Sequence, residues 1–260
     1  MSTDGDVSLD EKRVYAGGSA QTAFITADGG LVRVSVSGDL VGEFGLAVRE
    51  SARDVACADG RVAAATETDA LVATDDGIET TGFGPADAVG FADGLIAAGE
   101  DRIARYDGED WTTLGQLADV RAVAGDLLAA AEGVHRLDGT HVGLSDARDV
   151  AVGRDVLAAT DDGLYALANG WMQRRPGGFR AVATGGNRTV AVADDGTLIE
   201  RRDGEWIEMG APAVVDAAPT ANAVYAVTAE GTVLADAGEG WRERATGVSG
   251  CRRLAVVSRS

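Results

Sequence analysis

Over 260 residues, 42 acidic side chains oppose 23 basic ones for a formal net charge of −19, and Lys12 is the only lysine among those cations. Direct nucleic-acid binding is disfavoured, because phosphate contact needs a concentrated basic stripe and these arginines are interleaved with carboxylates. No apolar run approaches the roughly 18 residues of a membrane-spanning helix, and 45% hydrophobic content is ample for a buried core.

The chain opens on "MSTDGDVSLDEK", residues 1–12, which reads as a flexible acidic terminus. It lacks the basic flank and apolar run of a signal peptide, so a cytoplasmic protein without membrane attachment is expected. Cys57 and Cys251 are then expected to be reduced, buried thiols. Residues 1–130 carry 24 acidic and 9 basic groups (net −15), against 18 and 14 (net −4) in 131–260, so one half can face a partner. Molar salt shortens the Debye length to about 3 Å and screens such self-repulsion, so the charge balance reads as adaptation to a salt-rich cytoplasm.

From residue 13 a short motif recurs: "RVYAGG" (13), "RDVACADG" (53), "ADAVGFADG" (86), "ADVRAVAGD" (118), "ARDVAVGRD" (147), "FRAVATGGN" (179), "VVDAAPTAN" (214) and "RRLAVVSR" (252). Anchored at Asp54, Asp87, Asp119, Asp149, Arg180 and Val215, the interior copies are spaced by 33, 32, 30, 31 and 35 residues. Each period continues with a Gly or Asn turn, an Ala/Val-rich run such as "VLAAT", an acidic-Gly turn, a third run, a further turn and a closing run. That order predicts four short strands joined by hairpins. Many of the runs are continuously apolar, so the sheets are buried on both faces.

Sheets of that kind hide both faces by packing around an axis, which predicts an all-β, seven-bladed β-propeller. Full units begin near 13, 54, 87, 119, 149, 180 and 215, and residues 13–47 align without a gap on 180–214, so the propeller domain is taken as 13–260. The eighth copy, "CRRLAVVSR", leaves no room for three more strands. It is expected to join the N-terminal sheet and close the ring.

Within the periods, Asp161-Asp162-Gly163 falls where Asp194-Asp195-Gly196 and Asp28-Gly29 fall, and reads as a hairpin turn. It lacks the five or six oxygens and late Glu of an EF-hand loop. Trp111, Trp171, Trp206 and Trp241 open the fourth strand of their units, with His141 in the equivalent place. An aromatic there is expected to cover the outer blade edge. His135 and His141, the two histidines, lie in no metal-ligand or triad spacing.

"VLAATDDGLYALANGW", "TLIERRDGEW" and "VYAGG" resemble the degenerate BNR or Asp-box-type repeats of sialidase-like, photosystem-assembly-factor-like and sensor-kinase propellers. Residues 13–258 as a whole resemble β-propeller proteins of haloarchaea. Asp203-Gly204-Glu205-Trp206 keeps only part of the Asp-box order. The sialidase resemblance implies three clustered arginines, a tyrosine nucleophile and acidic helpers, but no residue here carries a motif that transfers those roles.

The candidate site is a charge ring at the channel mouth, formed by Asp54, Asp87, Asp119, Asp149, Arg180, Asp216 (read as one residue out of register) and Arg253. Arg13 occupies the matching place in the first copy. Two accounts stand open. Either these groups lock blade to blade through backbone N–H groups and ion pairs, or Asp54, Asp87 and Asp119 hold a cation or amine, oxygen ligands suiting Ca²⁺ or Mg²⁺. The expected function is a non-catalytic, monomeric interaction scaffold that binds another protein and needs no cofactor. The alternative is a sialidase-like hydrolase or lyase working on a small ligand or carbohydrate in the channel.

Overall fold

The computed structural model describes residues 20–74 and 77–258. The segment 1–12, Lys12, Arg13 and the "RVYAGG" copy lie outside the described residues. Seven four-stranded antiparallel sheets surround an axis, and the described residues include no helix. The second to seventh blades each take their four strands from one contiguous stretch of chain. Their inner strands are Ala52–Ala58, Ala88–Phe91, Val120–Ala124, Ala147–Val152, Phe179–Gly185 and Asp216–Pro219. Each is a copy of the sequence motif, and neighbouring inner strands touch in a closed cycle.

The first blade is composite. Its second, third and outer strands are Gln21–Ala27, Gly30–Ser37 and Leu40–Val48, and its inner place is taken by Leu254–Ser258 from the far end of the chain. The closing strand runs antiparallel to Gln21–Ala27 with Ser258 opposite Gln21 and Leu254 opposite Ile25. The expected closure is thus present, but the first unit does not supply the inner strand that a start at residue 13 assigns to it. Backbone hydrogen bonds to the C-terminal strand cover that sheet edge.

Two-sided burial explains the continuous apolar runs. On Arg61–Thr66, the second strand of the second blade, Val62 and Ala64 pack with Phe24 and Leu31 of the first blade. Ala63 and Ala65 point the other way, to Val89 and Ala97 of the third. Successive side chains leave a strand on opposite faces, so a strand wedged between two blades needs an apolar residue at every position. Ala65 and Ala97 are fully buried, and near a crowded axis each added methylene overpacks at a cost of about 1–3 kcal/mol.

Toward the rim the spacing widens and large side chains bridge it. The indole N–H of Trp111 donates to the Thr81 carbonyl (3.0 Å), that of Trp171 to Val142 (3.3 Å) and that of Trp241 to Met209 (2.9 Å). Each acceptor lies in or just beyond the outer strand of the preceding blade, so the tryptophans staple blade to blade. Trp206 packs on the core shared by the fifth and sixth blades. His141 instead turns to the Leu144 carbonyl at 3.2 Å and stacks on His135 at 4.9 Å.

Asp161 and Asp162 form the hairpin turn expected of them. The Thr160 hydroxyl closes it, donating to the Gly163 carbonyl at 2.9 Å and accepting the Gly163 N–H at 3.0 Å. Cys57 is half-buried and Cys251 buried, both free thiols, and burial pushes them up to about 12 and about 11.

Deleting residues 250–260 is expected to abolish cooperative thermal unfolding, because it strips the inner strand from the first blade, whereas deleting 1–9 leaves the melt unchanged. Calorimetry on both truncations checks this. A C-terminal truncation that melts like the parent contradicts closure by that strand.

Candidate functional site at the axis

Four of the seven inner strands begin with a residue bulged out of the ladder. The pairing shifts between Ala52 and Asp54, Val120 and Ala122, Ala147 and Asp149, and Phe179 and Ala181. Arg53, Arg121, Arg148 and Arg180 are therefore the bulged residues. Asp87, Val215 and Arg252 take the same place in the other three blades, just ahead of the first laddered residue. The next residue along, one per blade, points at the axis: Asp54, Ala88, Ala122, Asp149, Ala181, Asp216 and Arg253.

The three aspartates at this level share one geometry. Asp54 accepts the N–H of Val55 on one oxygen and that of Val89, in the next blade, on the other, both at 2.9 Å. Asp149 accepts Val150 and Val182 N–H at the same length. Asp216 accepts Ala217 N–H at 2.8 Å and Leu254 N–H at 2.7 Å, the latter on the closing strand. Each carboxylate thus ties its own inner strand to the neighbouring one. A bulge frees backbone donors from the ladder, and a buried donor left unpaired costs about 1–3 kcal/mol.

Arg253 reaches across the axis to meet them. Its Nη1 lies 3.0 Å from Asp149 and its Nε 3.7 Å from Asp54, while Nη2 donates to the Arg121 carbonyl at 3.1 Å and the Arg148 carbonyl at 3.3 Å. One guanidinium from the first blade therefore joins the second, fourth and fifth. Only 17% of its side chain is exposed, so it lies largely buried across the axis at this level.

Three carboxylates around one cation leave negative charge uncompensated. Burial raises the Asp54 carboxyl above the ordinary range, opposed by the Arg253 charge and the Val89 N–H. Asp216 has no ion pair with Arg253 and feels it only through space, and burial pushes its carboxyl up to about 7. Arg253 itself would be depressed by burial, but the Asp149, Asp54 and Asp216 charges hold it above its usual value.

The seven expected ring residues thus separate. Asp54, Asp149, Asp216 and Arg253 meet at the axis, and Asp216 is in register there. The residues out of register are Asp87 and Arg180, which stand one place earlier, on the bulge. Asp87 pairs with Arg53 at 2.5 Å, and Arg180 donates to the Asp194 carbonyl. Asp119 lies two residues before its bulge, exposed and with φ +51°. Asp54, Asp87 and Asp119 do not converge, and among the described residues no group of three or more His, Cys, Asp or Glu side chains is placed to hold a metal ion.

Sequence reasoning picked out Arg180 but passed over the other arginines at this place, Arg53, Arg121, Arg148 and Arg252. Arg121 pairs with Asp146, Arg148 with Asp194 and Arg252 with Asp28, forming an outer collar of inter-loop ion pairs. Their signal was present: "ARDVA" stands unchanged at 52–56 and at 147–151, an outward arginine followed by an inward aspartate.

These features define a seven-bladed β-propeller with a charged axial lock. The family model described as "Beta-prop_HVO_0234:-like, beta propeller" matches residues 8–257, and the chain belongs to that family. Among the curated proteins no match is found. Similar solved structures share the fold at low identity. The computationally designed Ika8 protein is 18% identical with a TM-score of 0.60, over 94% of each chain. AztD from Citrobacter koseri is 12% identical with a TM-score of 0.56, over 88% of this chain and 83% of that one. YCF48, in a structure bound to a D1 peptide, is 13% identical with a TM-score of 0.55, over 76% and 83%.

Replacing Arg253 by Met keeps the length but leaves three buried carboxylates without a counter-charge, an expected loss of roughly 3–5 kcal/mol. Arg253→Lys keeps the charge without the fork that reaches both carbonyls, and is expected to fall between. Denaturant midpoints of the two variants check the order, and a Met variant as stable as the parent contradicts the lock.

Asp216 also predicts a pH dependence. Its carboxyl titrates near 7 when folded and near about 3.9 when unfolded. Its contribution to stability is therefore complete below about pH 4 and is lost as pH rises to about 7. Asp216→Asn is expected to flatten the decline in melting temperature over that window, and a pH profile parallel to the parent's contradicts the assignment.

Proposed function

We propose that the protein is a non-catalytic scaffold, a rigid ring that presents its surface to another protein in a salt-rich cytoplasm. The observation that carries the reading is the axial lock. The charged groups that converge there are committed to backbone N–H groups, carbonyls or one another. Reactive side chains held in that way serve rigidity, and a channel crossed by Arg253 at this level has no room for the substrate of the carbohydrate-active alternative. Among the described residues the connections between strands are short. YCF48, a similarly folded chain, is seen bound to a peptide.

The acidic excess favours a partner with a basic face. Residues 1–130 hold net −15 of the total −19, and the first blade adds exposed Phe44 and Leu46 on its outer strand. Complementary charge steers encounter and fixes register, while exposed apolar side chains supply contact area.

The test is affinity capture from the native host in molar KCl, with cross-linking and quantitative mass spectrometry. The expected result is a protein at a fixed stoichiometric ratio, cross-linked to the first three blades and lost in a Phe44→Asp/Leu46→Asp variant that melts like the parent. Capture unaffected by that variant, or no stoichiometric protein at all, contradicts the reading.

A further inference from the structure

A cleft separate from the axis lies between the fifth and sixth blades, at the opposite end of the inner strands from the lock. It is floored by the turns that follow the inner strands Ala147–Val152 and Phe179–Gly185, with Asp203-Gly204 at one side. Its volume is about 790 Å³, within the span of roughly 300–1,000 Å³ usual for small-molecule sites. Such sites are ordinarily apolar, whereas this one is lined mainly by arginine, aspartate, asparagine, threonine and glycine. A polar lining selects a polar ligand.

The arginines give that ligand its sign. Arg188, at the start of the second strand of the sixth blade, offers its Nε to Glu200 at 2.5 Å. Glu200 is only 3% exposed and takes the Nε of Arg202 on its other oxygen at 2.6 Å. Burial would raise its carboxyl, but the hydrogen bonds from Arg188 and Arg202 outweigh that and hold it below the ordinary range. A buried carboxylate thus orients Arg188 through Nε, and the terminal nitrogens of Arg188 remain for the cleft. Asp155 is taken by Arg201. Arg154 is exposed on the adjoining turn and, among the described residues, forms no ion pair with a carboxylate.

The turn beneath is fixed. Gly186 and Asn187 stand at φ +56° and +65° in a two-residue connection between Gly185 and Arg188. A Cβ on Gly186 would fall 2.0 Å from the backbone nitrogen of Ala221 in the seventh blade. Arg188 is therefore presented from a braced turn, and its neighbours Asn187 and Thr189 also line the cleft. A guanidinium fork with free terminal N–H groups matches the paired oxygens of a carboxylate or phosphate.

We infer that this cleft binds a small metabolite through a compact oxyanion, a phosphate or carboxylate, held between Arg154 and Arg188. The site is separate from the axis, and the inference does not rest on the scaffold reading. A protein can present one face to a partner and sense a metabolite on the other.

Isothermal titration with inorganic phosphate and, separately, with malonate at fixed KCl tests it on the full chain, Arg154→Gln and Arg188→Gln, with melting curves of each. The expected result is saturable one-to-one binding of at least one probe by the parent, weakened at least tenfold in both variants. Arg154→Gln is expected to melt as the parent does, because its side chain is exposed and, among the described residues, in no ion pair, so its lost binding is not lost folding. Binding of phosphate alone assigns a phosphate-bearing ligand, and binding of malonate alone a carboxylate. No saturable binding of either probe to the parent, or undiminished binding by either variant, overturns the inference.

Discussion

A ring of wedge-shaped sheets brings the starts of its seven inner strands to one axis, and the charge gathered there must be balanced within a few ångströms. Arg253 is the residue on which that balance depends. It pairs with Asp149 and Asp54, acts on Asp216 through space, and caps two carbonyls across the channel. Because Leu254 begins the closing strand, the same few residues complete the first blade, donate the backbone N–H bond to Asp216 and neutralise the axis. Ring closure and charge balance are one structural event, so an open ring leaves buried carboxylates that desolvation penalises.

The rest of the packing follows from radial geometry. Near the axis the blades approach closely, and alanine at positions such as 63, 65, 97 and 98 lets strands lie face to face. At the rim the gap widens, and Trp111, Trp171 and Trp241 span it while donating to carbonyls of the preceding blade. Small inside and large outside is the side-chain gradient that a ring of twisted sheets requires. Between the two radii, aspartates tie blades at three junctions and arginine–carboxylate pairs link the exposed loops above them.

This arrangement commits the charged groups that meet at the axis to backbone N–H groups, carbonyls and one another. Half of the exposed arginines among the described residues pair with a carboxylate, as Arg53 does with Asp87. The cleft between the fifth and sixth blades departs from that pattern, since a buried glutamate there orients an arginine instead of neutralising it at the surface. In a chain of net charge −19, this cleft sets Arg154, Arg188 and Arg201 beside Asp155 and Asp203, with Glu200 on Arg188.

The sequence by itself determined the architecture: strand number, blade number and the role of the last strand. Each follows from local rules that repeat, namely turn residues at fixed places, two-sided apolar runs and a motif copied eight times. It also marked Asp54, Asp149, Asp216 and Arg253 as axial. It did not separate them from Asp87, Asp119 and Arg180, because a one-residue bulge exchanges inward for outward without leaving a mark in the spacing. Only the tertiary structure decided which residue of each motif copy faces the axis, and which blade the closing arginine reaches across to. It alone brought Arg154 and Arg188 to the lining of one cleft, since those residues sit on successive blades and share it only when the ring sets two turns side by side. Periodicity is a property of the chain, whereas convergence on an axis or at a cleft depends on the curvature of the closed ring.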